Sequence, residues 1–134
     1  MVSATLTTTL LVLTVLPWAR SGQRERNSYA LVDSAGASGV VPEHLESAIG
    51  LWYLVPVAGG IALIGEALGA RRSAGVAVAT LGAAVTVFAI QVDRSPLVSL
   101  GATQTAIAVG VVAIAWGVAV AVFGRQWNAR RNSP

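Results

Sequence analysis

From Ser47 to Gly65 nineteen residues pass without a charge, and a helix of that length rises far enough, at 1.5 Å per residue, to cross the ~30 Å hydrocarbon core of a bilayer. Three more uncharged runs accompany it: 2–18, 74–92 and 106–124. A chain of 134 residues with four such runs, 54% apolar and 11% charged, is far from the roughly 25% charge of a soluble domain. The pattern predicts an all-α integral membrane protein, four transmembrane helices in an antiparallel bundle, as one domain. Its expected parts are a first span at 2–18, a larger first extracytoplasmic loop at 19–41, a second span at 42–70, a third at 74–92, a fourth at 106–124 and a polar tail at 125–134.

Local signals set these limits. Residues 2–18 lack the early arginines of a secretory signal, and Pro17 and Trp18 stand where small cleavage-site residues belong, so the segment reads as a retained span. Its threonines Thr5, Thr7, Thr8, Thr9 and Thr14 can bond to carbonyls one turn back, and Trp18 suits a membrane interface. In the loop, Asn27 or Ser28 can cap a short helix to about Ala35, ended by Gly36 and Gly39. Pro42, Glu43 and Glu46 suit the start of the second helix, and Pro56 predicts a kink between Trp52 and Pro56, eased by Gly59 and Gly60. Glu66 lies near the end of that run, close enough to the surface to reach water or Arg71 and Arg72. Arg71, Arg72 and Ser73 read as the turn of a helical hairpin, with Gly69 and Gly75 on either side.

Small residues recur one turn apart at Gly75, Ala79 and Ala83, and at Ala113, Gly117 and Ala121; Gly110, Gly117 and Gly124 recur seven apart. Such spacing lets helices approach closely in lipid. Packing within the chain is the simpler use of these seams, ahead of a homo-oligomer. The remaining valine, isoleucine, leucine and phenylalanine positions suit lipid or the helices of another subunit.

The inventory for chemistry is thin: one histidine, no cysteine and no lysine. His44 lies beside Glu43 and Glu46, but at spacings that scatter the side chains around a helix rather than converge on a metal. No phosphate loop or nucleophile elbow occurs, and the nine arginines form no nucleic-acid patch. No catalytic residue, metal or cofactor is expected. Five arginines on the Arg71 turn and tail face four on the other connections, which places both termini in the cytoplasm under the positive-inside rule.

Four helices in this length are similar to small multidrug exporters, although those carry a carboxylate in the first helix and this chain has none there. Trp18 followed by Gly50, Leu51 and Trp52 is similar to the W…GLW signature of claudin-like tetraspan proteins, which add two cysteines that this chain lacks. The run Leu16 to Val32, LPWARSGQRERNSYALV, resembles the start of a group of small actinobacterial tetraspan membrane proteins. These have a PWxxSG stretch after helix one, an arginine-bearing loop and a W-Y-x-x-P helix, matched here by Trp52, Tyr53 and Pro56. The resemblance covers about the first two-fifths of the chain and implies a bacterial plasma-membrane location without assigning catalytic residues.

The function expected is that of a non-enzymatic accessory subunit docked on a larger cell-envelope complex. A lipid transporter of the mycobacterial cell-entry type or a cell-wall synthesis complex is the host that analogy suggests. The alternative is a stand-alone protein binding membrane lipid or a small hydrophobe at the kink of Trp52, Tyr53, Pro56 and Gly59.

Overall fold

The computed structural model describes residues 1–21, 23–38, 52–94 and 98–131. Pro42, Glu43, His44 and Glu46 lie outside them. The chain is mostly helical. In order come α1 (Val2–Val15), β1 (Pro17–Ser21), β2 (Arg24–Asn27), α2 (Ser28–Ser38), α3 (Val55–Ala67), α4 (Arg71–Asp93), β3 (Val98–Ser99) and α5 (Gly101–Arg131). Among the described residues two helices are long and apolar enough to cross a membrane: α4, and α5 over Gly101–Phe123, each 23 residues in that stretch.

α1 runs opposite to α3, and α4 runs opposite to α5. The Met1 end of α1 meets Glu66 at the end of α3, while Leu11 meets Gly59 nearer the other end. On α4 and α5, Gly75 meets Gly117 and Gly82 meets Gly110. The core is assembled from Leu10 and Leu13 of α1, Val55 and Ala62 of α3, Val78, Leu81, Val85 and Ala89 of α4, and Ala106 and Ala113 of α5.

Several boundaries differ from the sequence reading. The first helix stops at Val15, because the chain turns extended at Leu16 and pairs as β1. The polar segment after it holds a hairpin, and with β3 it forms a three-stranded antiparallel sheet of order β2-β1-β3, so the protein is not purely α. Register slips between Pro17 and Ala19. Proline has no N–H to offer the ladder, and the irregularity re-aims Trp18, which is fully buried. Trp18 is therefore a core residue and not an interfacial one.

Asn27 accepts the Ala30 N–H at 2.9 Å and so caps α2, which runs through Gly36 to Ser38. Asn27→Ala should cost about 1 kcal/mol of unfolding free energy; a denaturant titration showing no loss would remove the cap from the account.

The start expected for the second long helix lies outside the described residues, and its described part is interrupted between Trp52 and Pro56, where the kink is expected. Tyr53 and Leu54 form a turn, α3 starts at Val55, and Pro56 sits in its first turn, where a missing N–H leaves no partner unmet. At the other end the Gly69 N–H bonds to the Glu66 carbonyl and the Ala70 N–H to the Gly65 carbonyl. This is the Schellman arrangement, which requires a left-handed residue, and Gly69 supplies it at φ 75°. The reversal thus occupies Leu68 to Ala70, while Arg71 to Ser73 form the first turn of α4. The fourth helix begins at Gly101 and continues to Arg131, taking in much of the expected tail.

Candidate functional site

Close approach of α4 to α5 rests on glycine. A β-carbon on Gly82 would stand 2.7 Å from the Gly110 carbonyl oxygen, and one on Gly117 would stand 2.5 Å from the Gly75 oxygen and 2.6 Å from the Ala79 nitrogen. One on Gly75 would lie 2.9 Å from both the Gly117 oxygen and the Ala121 nitrogen. Backbone thus packs on backbone, the contact that small residues permit in apolar surroundings. The Thr86 hydroxyl sits beside Gly110 and donates to the Gly82 carbonyl at 2.7 Å. Of the residues expected at the seam, Gly75, Ala79, Gly110, Ala113, Gly117 and Ala121 are brought to it. Ala83 is only half-buried, and Gly82, seven residues from Gly75, makes the tight approach instead.

One end of the helices is closed by an aromatic cap. Trp18 lies edge-on to Trp52 with ring centroids 6.1 Å apart, and Trp52 stacks on Phe88 at 4.1 Å. The Trp18 indole donates to the Leu13 carbonyl at 2.6 Å, and the Trp52 indole donates to Ser28 Oγ at 3.2 Å. Ser28 passes its own hydrogen to the Thr14 carbonyl at 2.6 Å. The Trp18 carbonyl receives the Leu100 N–H at 2.8 Å and the Thr103 hydroxyl at 2.6 Å. Every buried polar group here has its partner, as a dry site demands.

These contacts redraw the site expected at Trp52, Tyr53, Pro56 and Gly59. Trp52 belongs to the cap. Tyr53 is half-exposed, lies near Tyr29 with centroids 6.0 Å apart, and donates to Asp33 Oδ1. Pro56 is exposed. At Gly59 the adjoining space is filled by Leu11, whose Cδ2 would meet a β-carbon there at 2.7 Å.

At the opposite end lies a cavity of about 350 Å³. Glu66 from the end of α3 and Arg71 from the start of α4 flank it with Met1, whose amine is 2.9 Å from Glu66 Oε1. Val2, Ala74 and Val120 supply apolar walls. The Trp116 indole donates to Ser3 Oγ at 3.0 Å along the same wall. Arg72 donates to the Ala121 carbonyl at 3.0 Å, tying the start of α4 to α5. Sequence position alone puts Glu66 near these arginines; the cavity itself needs side chains from four helices to converge.

The outer face of α3 is apolar. Leu54, Val57, Ile61 and Ile64 are each more than half exposed and Leu68 is 79% exposed, at alternating spacings of three and four residues. The opposite face, Val55, Gly59 and Ala62, is buried with the same period. On α5, Val111, Val118 and Val122 are also exposed.

No protein-family model, curated protein or solved structure matches this chain.

Proposed function

We propose that the chain is a four-span plasma-membrane protein serving as a non-enzymatic accessory subunit of a larger cell-envelope complex, docked through the outer stripe of α3. The observation that carries this reading is the stripe itself: five large apolar residues in register over four turns. Water does not tolerate a continuous face of that kind, and the spacing is the one by which helices pack on helices.

The helix lengths fit a membrane if the cap shares the thickness. α4 is about 35 Å long at 1.5 Å per residue, whereas α1 and α3 are about 21 and 20 Å. The shorter pair is extended by Leu16 to Trp18 and by Trp52 to Leu54. Non-helical backbone is acceptable at membrane depth where protein buries it and its polar groups are bonded, as the Trp18 carbonyl is. Both termini are assigned to the cytoplasm by the arginine balance. A lipid transporter of the mycobacterial cell-entry type or a cell-wall synthesis complex is the proposed class of host, by analogy with the tetraspan group that the first two-fifths of the chain resembles. Absence of enzymatic activity is inferred from the residue inventory.

A tagged copy extracted from native membranes in mild detergent should bring down one large membrane protein at fixed ratio. Ile61→Trp, which lipid accommodates and a packed helix does not, should reduce that recovery about tenfold while leaving the chain's own yield unchanged. Recovery as a monomer or homo-oligomer alone would overturn the accessory role.

A further inference from the structure

We propose that the cavity between Glu66 and Arg71 receives the head of a zwitterionic phospholipid, with its primary ammonium on Glu66 and its phosphate at Arg71. The inference rests on the membrane-embedded part of the function proposed above and is independent of any partner subunit.

Size comes first. A volume of about 350 Å³ is at the lower end of ligand clefts, roughly 300–1,000 Å³, enough for a head group and too small for a whole lipid. The chains must therefore leave over the surface, where Val2 is half-exposed at the mouth.

Charge comes second. Charges of both signs line the cavity: Glu66 from the end of one helix, with the Met1 amine on it, and Arg71 from the start of the next. A head carrying both signs can pair with Glu66 and Arg71 together. The Glu66 carboxylate already holds an ammonium, the Met1 amine, at 2.9 Å, in a chain without lysine. A carboxylate has about four acceptor positions, so a second ammonium can bond alongside the first or take its place. The phosphate would lie at the N-terminus of α4, a 23-residue helix whose dipole favours negative charge. Ala74, Val120 and Trp116 also line the cavity and offer apolar surface suited to the glycerol and first methylenes.

The test uses the full chain, stripped of lipid in detergent and titrated with phosphatidylethanolamine, phosphatidylcholine and phosphatidylglycerol of identical chains, with retention read by native mass spectrometry. Phosphatidylethanolamine should be retained about tenfold better than the other two, since only its ammonium donates charge-assisted hydrogen bonds to Glu66. Glu66→Gln should abolish that preference without lowering phosphatidylglycerol retention, since it removes a negative charge beside an anionic lipid, and Arg71→Gln should weaken all three. Val2→Trp, at an exposed position, should block every lipid and serves if a charge variant folds poorly. Competition by free phosphoethanolamine would show that the head is read without its chains. Equal retention of the three lipids, or an unchanged preference in Glu66→Gln, would overturn the proposal. Neither result would touch co-purification with a partner, so failure here is distinct from failure of the accessory role.

Discussion

Trp18→Ala should be the most damaging single substitution outside the helix seam, lowering unfolding free energy by about 3–5 kcal/mol, the usual loss for a large buried aromatic. Trp18 is fully buried between Trp52 and Phe88 and faces inward from the irregularity at Pro17. Alanine would leave a void bounded by two rings and take from the Leu13 carbonyl one of its two donors, the other being the Leu16 N–H. The void would also loosen the strand that holds Leu100 and Thr103. Trp18→Phe keeps a ring and gives up the indole bond, so it should cost clearly less than the alanine variant. Denaturation in detergent would measure both, and hydrogen exchange at the Leu100 amide, bonded to the Trp18 carbonyl, should accelerate in the alanine variant. A loss below about 1 kcal/mol would show that the sheet is not anchored through this side chain.

Gly117→Val ranks with it. The first added carbon would stand 2.5 Å from the Gly75 oxygen and 2.6 Å from the Ala79 nitrogen, both backbone atoms that no rotamer change can move. The helices must separate, and overpacking of this kind costs about 1–3 kcal/mol even where neighbours can adjust; valine's branches raise that further. Gly117→Ala tests the same contact with its sign in question, because alanine gains about 1 kcal/mol in helix propensity over glycine. The clash should exceed that gain. Gly60→Ala is the control: it meets nothing within 4 Å, so only the propensity gain remains and stability should be unchanged or higher. If Gly117→Ala and Gly60→Ala behave alike, the seam is not tight.

Much of the seam was legible because its signal is local. Gly110, Ala113, Gly117 and Ala121 share one face of one helix, and spacing alone brings them together. Gly82 was passed over because a four-residue step from Ala79 leads to Ala83, whereas the observed approach repeats at seven, from Gly75 to Gly82. The hairpin was illegible for a physical reason. Residues 19–27 carry three arginines and a glutamate without apolar alternation, so nothing in their pattern marks a half-buried strand; backbone pairing with β1 and the salt bridge of Arg20 and Glu25, at 2.7 Å, define it instead. Trp18 misled because tryptophan next to a charged loop has the same sequence appearance at an interface as in a core. Pro56 marked the place of the interruption: the chain turns at Tyr53 and Leu54, and the proline falls in the first turn of the helix that follows. The cavity at Glu66 required the third dimension, since its walls are up to 119 positions apart in the chain, from Met1 to Val120.

A partner helix covering the outer stripe of α3, as proposed, can be detected directly, because the chain has no cysteine of its own. A photoreactive label on a single introduced thiol, Ile61→Cys or Ile64→Cys, would be activated in native membranes, with Val112→Cys on exposed α5 as reference. The account predicts one protein adduct of the same mass from both α3 positions and none of that mass from position 112. Adducts to lipid alone from positions 61 and 64, or only to a second copy of this chain, would contradict it.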